Sequence, residues 1–186
     1  MFSYKKFLPE DIFMLDTCNL DSYCENYTLK YYLGYMVRNS RPFYAITYSN
    51  SSQEYYNNLT SGSAVYGYIF GFNISKWLKT EEGEFRKYDG YQIHALSTSF
   101  LTRRLGLGTR MVQLFVDNIE NEFIKLFVRE SNTRAVEFYR KNNFTVRRKV
   151  VNYYMKPEEN AIEMVRSSHR IAAEKNVSYA DVSDDE

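Results

Sequence analysis

The order of apolar and polar positions marks out most elements of this chain before any chemistry is considered. Residues 2–7 alternate loosely and predict a strand that stops at Pro9. Pro9-Glu10-Asp11 puts proline and two acids where a helix opens, and Ile12, Phe13 and Leu15 carry that helix to about Cys18. Asn19 to Asn26 is polar and irregular. A second helix, Leu29 to Val37, holds Tyr31, Tyr32, Leu33, Tyr35 and Met36 on more than one face, so it packs under a sheet or meets a partner protein. Residues 42–48 (PFYAITY) read as a strand. The polar run 49–63 has no periodicity and predicts a flexible surface insert without a functional role. Val65–Ile74 resumes as strand, 76–89 is a charged loop, and Gln92–Ser97 is the next strand. A helix follows from Gly106 to about Asn121, then a strand over 124–129. Ser131 or Asn132 is a natural cap for the helix that carries Tyr139. Residues 144–147 and 149–154 predict two last strands. From Lys156 the chain turns polar, with a weak helical pattern near Ala161–Ala173 and disorder after it. The expected organisation is one domain over 1–155, interrupted at 49–63, and an acidic tail over 156–186.

Composition adds bounds. At 186 residues, 44% apolar and 25% charged, the chain is long enough for one well-filled core. The net charge of +1 conceals a split: the tail from Lys156 carries four Lys/Arg against eight Asp/Glu, so the first 155 residues hold +5. That suits a polyanionic ligand but is too weak to predict nucleic-acid recognition. The start MFSYKKFLPED breaks to acid at once, and no apolar run approaches the roughly 18 residues of a span. A cytoplasmic protein without membrane contact is expected. Cys18 and Cys24 cannot build a disulfide framework and lack histidines at ligand spacing, so no metal site is expected. The 18 tyrosines and 13 phenylalanines exceed ordinary usage; most serve packing, and a tyrosine-lined groove is the sharper reading.

Chemistry concentrates in residues 92–109, QIHALSTSFLTRRLGLGT. A strand, a basic pair and Gly106-x-Gly108 lead into a helix. Backbone N–H groups at such a helix start can hold an anion, and Arg103 and Arg104 add charge-assisted donors suited to phosphate oxygens. Glu25 and Tyr27 lie in the irregular stretch before the second helix, where binding groups often sit, although a solvated carboxylate is the plainer reading of Glu25. Asn132 and Tyr139 stand two helical turns apart along one side of their helix, as shared contact with an elongated ligand requires; a cap and a packing tyrosine are the plainer readings.

Arg103-x-x-Gly106-x-Gly108 resembles the pyrophosphate-binding motif of GCN5-related N-acetyltransferases. The fuller run Ala95-Leu96-Ser97 through Arg103-Arg104-Leu105-Gly106-Leu107 is similar to the catalytic subunits of protein N-terminal acetyltransferases. Asn19-Leu20-Asp21 through Glu25-Asn26-Tyr27 has the length of the first loop of the NatB type. The resemblance covers about residues 1–155. It implies a mixed α/β fold with a mostly antiparallel central sheet flanked by helices, the acyl-CoA N-acyltransferase (GNAT) fold. It also implies acetyl-CoA as co-substrate and nascent protein N-termini beginning Met-Asp, Met-Glu, Met-Asn or Met-Gln as acceptors. A large helical auxiliary subunit and ribosome association follow from it as partners.

Residue by residue, the resemblance assigns acetyl-CoA to Leu96, Ser97, Thr98, Arg103, Arg104, Leu105, Gly106, Leu107, Gly108, Thr109, Asn132 and Tyr139. Leu96, Asn132 and Tyr139 lie at the reacting thioester, with Tyr139 the acid for the departing thiolate. Glu25, Tyr27, Gln92, Tyr153 and Tyr154 would hold the peptide. NatB-like enzymes carry a histidine where this chain has Gln92, a neutral donor; His94, two residues on, reads as a satisfied sheet-face histidine. The alternatives are a NatA-type or small-molecule acetyltransferase and a non-catalytic acetyl-CoA-binding subunit. A cysteine-nucleophile route through Cys18 or Cys24 has no histidine spacing to support it.

Overall fold

The computed structural model describes residues 2–15, 18–19, 27–38, 44–48, 65–79, 83–118 and 123–167. The expected insert at 49–63, Glu25, Cys24 and the chain beyond residue 167 lie outside them. The strands are β1 (Phe2–Lys6), β2 (Tyr44–Tyr48), β3 (Val65–Lys79), β4 (Phe85–Thr98), β5 (Phe123–Arg129), β6 (Thr145–Met155) and β7 (Glu158–Ser167). The helices are α1 (Leu29–Arg38), α2 (Leu107–Asp117) and α3 (Thr133–Lys141), with 3-10 turns at Pro9–Met14 and Phe100–Thr102. Strand order is β1-β2-β3-β4-β5-β7-β6, so the expected mixed α/β fold is present. Two compact units divide the chain: residues 1–71 with 94–118, and residues 72–93 with 119–186.

In the first unit β1 pairs antiparallel with β2, from Phe2 opposite Tyr48 to Lys6 opposite Tyr44, and β2 pairs antiparallel with β3. Phe7, Tyr68, Ile69, Phe70, Met111, Val112 and Phe115 are all nearly solvent-free and form its core. The helix expected from Pro9 is a short 3-10 turn instead. The carboxylate of Asp11 accepts the Leu8 N–H at 2.8 Å and pairs with Lys5 at 2.7 Å, which fixes a tight entry, and the turn ends at Leu15. Helix α1 resolves its two-sided apolar pattern by facing both ways. Tyr32 and Tyr35 are buried, whereas Leu29, Leu33 and Val37 are exposed, and with Lys30 and Gly34 they line an open apolar groove. Helix α2 stops at Asp117, short of the expected Asn121, because the Asn118 side chain caps it on the Leu114 carbonyl at 2.7 Å.

In the second unit β4 and β5 run parallel, Gly90 to Gln92 opposite Phe123 to Lys125, and β5, β7 and β6 follow antiparallel. A Cβ at Gly90 would overlap the Phe123 ring, so this glycine makes room for that side chain on the neighbouring strand. Strands β3 and β4 extend into the predicted charged loop, to Lys79 and from Phe85, since strand pairing uses backbone groups and tolerates charged side chains at exposed positions.

The boundary at residue 156 needs correction. Residues 158–167 form neither tail nor helix but β7, paired on both sides, between β5 and β6. Its Ala161, Glu163, Met164 and Val165 are buried. Fully enclosed Glu163 gives the segment its misleading polarity: Arg148 Nε lies 2.7 Å from it, Arg147 Nη1 3.5 Å and Lys125 Nζ 3.8 Å. Such a carboxylate is a counter-ion inside the unit, and a strand buried on both faces shows no clean alternation. The two last strands are a single strand, β6, whose register shifts between Val146 and Arg148 and again between Val150 and Tyr154.

Candidate active site

The basic glycine turn is built locally. At the end of β4 the Ser99 N–H binds the Tyr66 carbonyl at 2.8 Å, and Ser99 Oγ accepts the Leu101 N–H at 3.3 Å, starting the 3-10 turn. Arg104 and Gly106 then take left-handed conformations, with φ of 68° and 76°. This doubled reversal delivers the chain into α2. Gly106 is its N-cap and offers no side-chain acceptor, while its carbonyl already receives the Arg110 N–H at 3.0 Å. The N–H groups of Leu107, Gly108 and Thr109 therefore begin a helix with no carbonyl inside it to bind. Among the described residues, and apart from its chain neighbours and its helix's own backbone, a Cβ on Gly106 would meet nothing within 4 Å, so this position faces open space. Arg103, Arg104 and Leu105 are exposed around it, and Leu107 is buried as the helix's inward anchor. Positive helix end, exposed N–H groups and two guanidinium groups together suit a diphosphate.

Upstream on β4, Leu96 and Thr98 are half-buried and Ser97 is buried, as strand alternation requires. Ser97 Oγ donates to the Cys18 carbonyl at 2.6 Å. The Ser97 hydroxyl thus binds within the chain, and the cofactor contact expected of this residue is through its backbone. Cys18 is buried with its Sγ directed at the Val65 carbonyl, a packing residue.

Tyr27 lies in the same unit as the glycine turn. Its ring stacks on Tyr31 at 4.5 Å between centroids, lies 5.1 Å from His94, and meets Tyr32 edge-on at 5.8 Å. Tyr31 Oη and His94 Nε2 are 2.6 Å apart, and Phe70 lies 5.6 Å from the imidazole. Burial, with Tyr32 beside it, raises the Tyr31 hydroxyl above its ordinary range. His94 is satisfied, as expected, but by the very aromatic group that holds Tyr27. Sequence reasoning did not join Tyr31 and His94 to Tyr27. The available signal was the strand parity that puts His94, Leu96 and Thr98 on one face of β4.

In the second unit Gln92 is buried at 9% exposure, opposite Lys125 in the parallel register. Asn132 is the N-cap of α3: its Oδ1 accepts the Ala135 N–H at 3.1 Å. Tyr139, two turns later, is 8% exposed and sits edge-on to Phe138 at 5.1 Å and to Phe144 at 5.5 Å. Tyr153 and Tyr154 are consecutive on a strand, yet both approach Phe127. Asn152, at a φ of 54°, and the register shift before Tyr154 break the alternation that would separate them. Tyr153 stacks on Phe127 at 4.5 Å, and Tyr154 Oη donates to the Phe127 carbonyl at 3.3 Å. Arg129 lies 4.1 Å over the Tyr154 ring, donates to the carbonyls of Lys156 and Pro157 at 3.2 Å, and pairs with Glu159 at 3.3 Å. Glu159 also accepts the Ser131 N–H at 2.6 Å. That bond, with Arg129 adding, holds its carboxyl below the usual carboxylate range. No local pattern marks Arg129 or Glu159, since their partners are 25 or more residues away except at this turn.

The family model described as FR47-like protein matches residues 75–154. The N-terminal acetyltransferase B complex catalytic subunit naa20 of Schizosaccharomyces pombe is 30% identical over 166 residues, covering 86% of this chain and 82% of the relative. The crystal structure of Chaetomium thermophilum Naa20 in complex with a bisubstrate analogue shares the fold, with a TM-score of 0.71 at 24% identity over 96% of this chain and 93% of that one. The NatB acetyltransferase complex bound to CoA and MES superposes with a TM-score of 0.65 at 26% identity, covering 89% of this chain and 98% of that one. The chain belongs to the family of catalytic subunits of the N-terminal acetyltransferase B complex.

Proposed function

We propose that this chain transfers acetyl from acetyl-CoA directly to the α-amine of nascent peptides beginning Met-Asp, Met-Glu, Met-Asn or Met-Gln. The observation that carries the reading is the turn at Arg104 and Gly106 that opens α2 onto vacant space. In this reading the diphosphate lies on the N–H groups from Leu105 to Thr109, with Arg103 and Arg104 at its oxygens. The backbone of Leu96–Thr98 binds the pantetheine amides and polarises the acetyl carbonyl.

An α-amine has a reference pKa of about 7.7–8.0, so a useful fraction, roughly a tenth to a sixth at pH 7, is free base and no strong general base is needed. Its nitrogen attacks the thioester carbon, an amide C–N bond forms, and the C–S bond breaks with its electron pair on sulfur. The amine proton leaves to solvent, and Tyr139 protonates the thiolate and regains its proton from solvent. Apposition of the two substrates supplies most of the acceleration, with effective molarities on the order of 10⁵ M for well-placed pairs. Asn132, already fixed as a helix cap, directs its remaining amide group at the pantetheine arm.

Tyr27 provides ring surface for the initiator methionine, with Glu25 orienting the amine. His94 joins Tyr27 here through their ring contact, and Gln92 supplies a neutral amide. The exposed groove of Leu29, Leu33 and Val37 on α1 takes an auxiliary helical subunit, which brings the enzyme to ribosomes in the cytoplasm.

The test is kcat/KM on matched peptides beginning Met-Asp, Met-Asn, Met-Leu and Ser-Glu, with the auxiliary subunit present. Met-Asp and Met-Asn are expected to agree within about tenfold, or 1.4 kcal/mol, and to exceed the other two. A preference for Ser-Glu would mean a NatA-type pocket. Tight acetyl-CoA binding with no peptide turnover would mean a non-catalytic subunit.

A further inference from the structure

The base of the first loop is held by side chains that the proposed chemistry leaves unused. Cys18 and Asn19 immediately precede the segment leading to Glu25 and Tyr27. Their N–H groups both bind the Leu15 carbonyl, at 2.8 and 3.2 Å. Two buried hydroxyls reach them from the sheet. Ser97 Oγ, on β4, donates to the Cys18 carbonyl at 2.6 Å, and Tyr68 Oη, on β3, donates to Asn19 Oδ1 at 2.8 Å. Ser97 is 7% exposed and Tyr68 fully enclosed. Tyr68 Oη also lies 3.2 Å from Tyr32 Oη, on α1. At the loop's far end the Tyr31 N–H binds the Thr28 carbonyl at 2.9 Å, and Tyr27 is stacked on Tyr31.

We infer that Ser97 and Tyr68 are positioning residues that hold Cys18 and Asn19, where the proposed peptide-binding segment begins, on the strands β4 and β3. The inference rests on the proposed reading of that loop and of Leu96–Thr98. Ser97 then separates two tasks by strand parity: its neighbours Leu96 and Thr98 point to one face of β4, while its own hydroxyl holds the loop from the other. Each hydroxyl is a buried donor to an acceptor that loses a partner when it is removed. A small displacement of substrate-positioning groups is enough to reduce turnover.

The experiment compares wild type, Ser97→Ala and Tyr68→Phe in complex with the auxiliary subunit. Three quantities are read: acetyl-CoA affinity by calorimetry, peptide kcat and KM on a Met-Asn peptide, and amide exchange at Cys18 and Asn19. Each variant is expected to lower peptide kcat/KM about three- to tenfold, mainly through peptide KM. Acetyl-CoA affinity stays within about twofold, because the backbone of β4 is unchanged, and exchange at Cys18 and Asn19 accelerates. Tyr68→Phe keeps the ring packing and serves if Ser97→Ala melts early. Weakened acetyl-CoA binding with unchanged peptide KM would overturn the inference and return the hydroxyl to the cofactor. Wild-type kinetics and exchange in both variants would also overturn it. If wild type acetylates no Met-initiated peptide while both variants speed exchange, the functional reading fails and the anchor stands.

Discussion

Replacing Gly106 by tryptophan tests the diphosphate cradle directly. At a φ of 76° this position is left-handed, which costs an L-residue roughly 1–2 kcal/mol. Among the described residues, and apart from its chain neighbours and the helix's own backbone, no atom lies within 4 Å of a Cβ built there, so the indole leaves the backbone toward open space. At about 2–4 °C per kcal/mol for a chain of this size, the melting temperature falls by roughly 2–8 °C and the protein still folds. The same indole occupies the volume a diphosphate needs to reach the N–H groups of α2. Losing two charge-assisted hydrogen bonds, at about 1.5–3 kcal/mol each, removes roughly 3–6 kcal/mol of binding. Acetyl-CoA affinity should then fall by about two to four decades. Calorimetry with acetyl-CoA and with acetyl-pantetheine, which lacks the diphosphate, separates local from global damage: only the first should weaken by this amount. A folded Gly106→Trp protein that binds acetyl-CoA like wild type would refute the reasoning.

Tyr139→Phe should lower kcat by about tenfold or more while leaving acetyl-CoA affinity nearly unchanged, because it removes an acid and keeps the ring between Phe138 and Phe144; an unchanged kcat would exclude the hydroxyl as proton donor. Glu159 has a folded pKa held below its unfolded value, first by the Ser131 N–H. Its contribution is therefore present above the unfolded pKa of about 4.3 and is lost as pH falls through the lower folded value. Glu159→Gln should flatten that acid limb in urea titrations between roughly pH 5 and 3, and an unaltered limb would show that the pair adds nothing. Val37→Asp, at an 87% exposed position on α1, should leave the melting temperature within a few degrees and abolish co-purification with the auxiliary subunit. Retained co-purification would move the docking surface elsewhere.

What could be read from residue order alone was whatever depends on near neighbours. The turn from Arg103 to Gly108 announces itself because glycine is the residue that enters a helix through a left-handed cap without strain, and basic residues beside it select for anions. Asn132 as the cap of α3, two turns before Tyr139, follows from local hydrogen-bonding geometry in the same way. Family likeness extended these points to a function because they are spaced along one contiguous stretch. Tertiary structure decided the matters that rest on distant partners. Residues 158–167 look like a polar tail until Lys125, Arg147 and Arg148 surround Glu163 and make a charged residue suitable for an interior strand. Tyr153 and Tyr154 share Phe127 only because Asn152 disturbs the strand, and pleating alone would set them on opposite faces. Ser97 belonged by motif to the cofactor, but the direction of its hydroxyl depends on where Cys18, 79 residues earlier, is brought by the fold. His94 likewise became part of the Tyr27 group only when α1 presented Tyr31 at 2.6 Å. Short-range preferences are written in the order of residues; the partner of a buried polar group is chosen by packing.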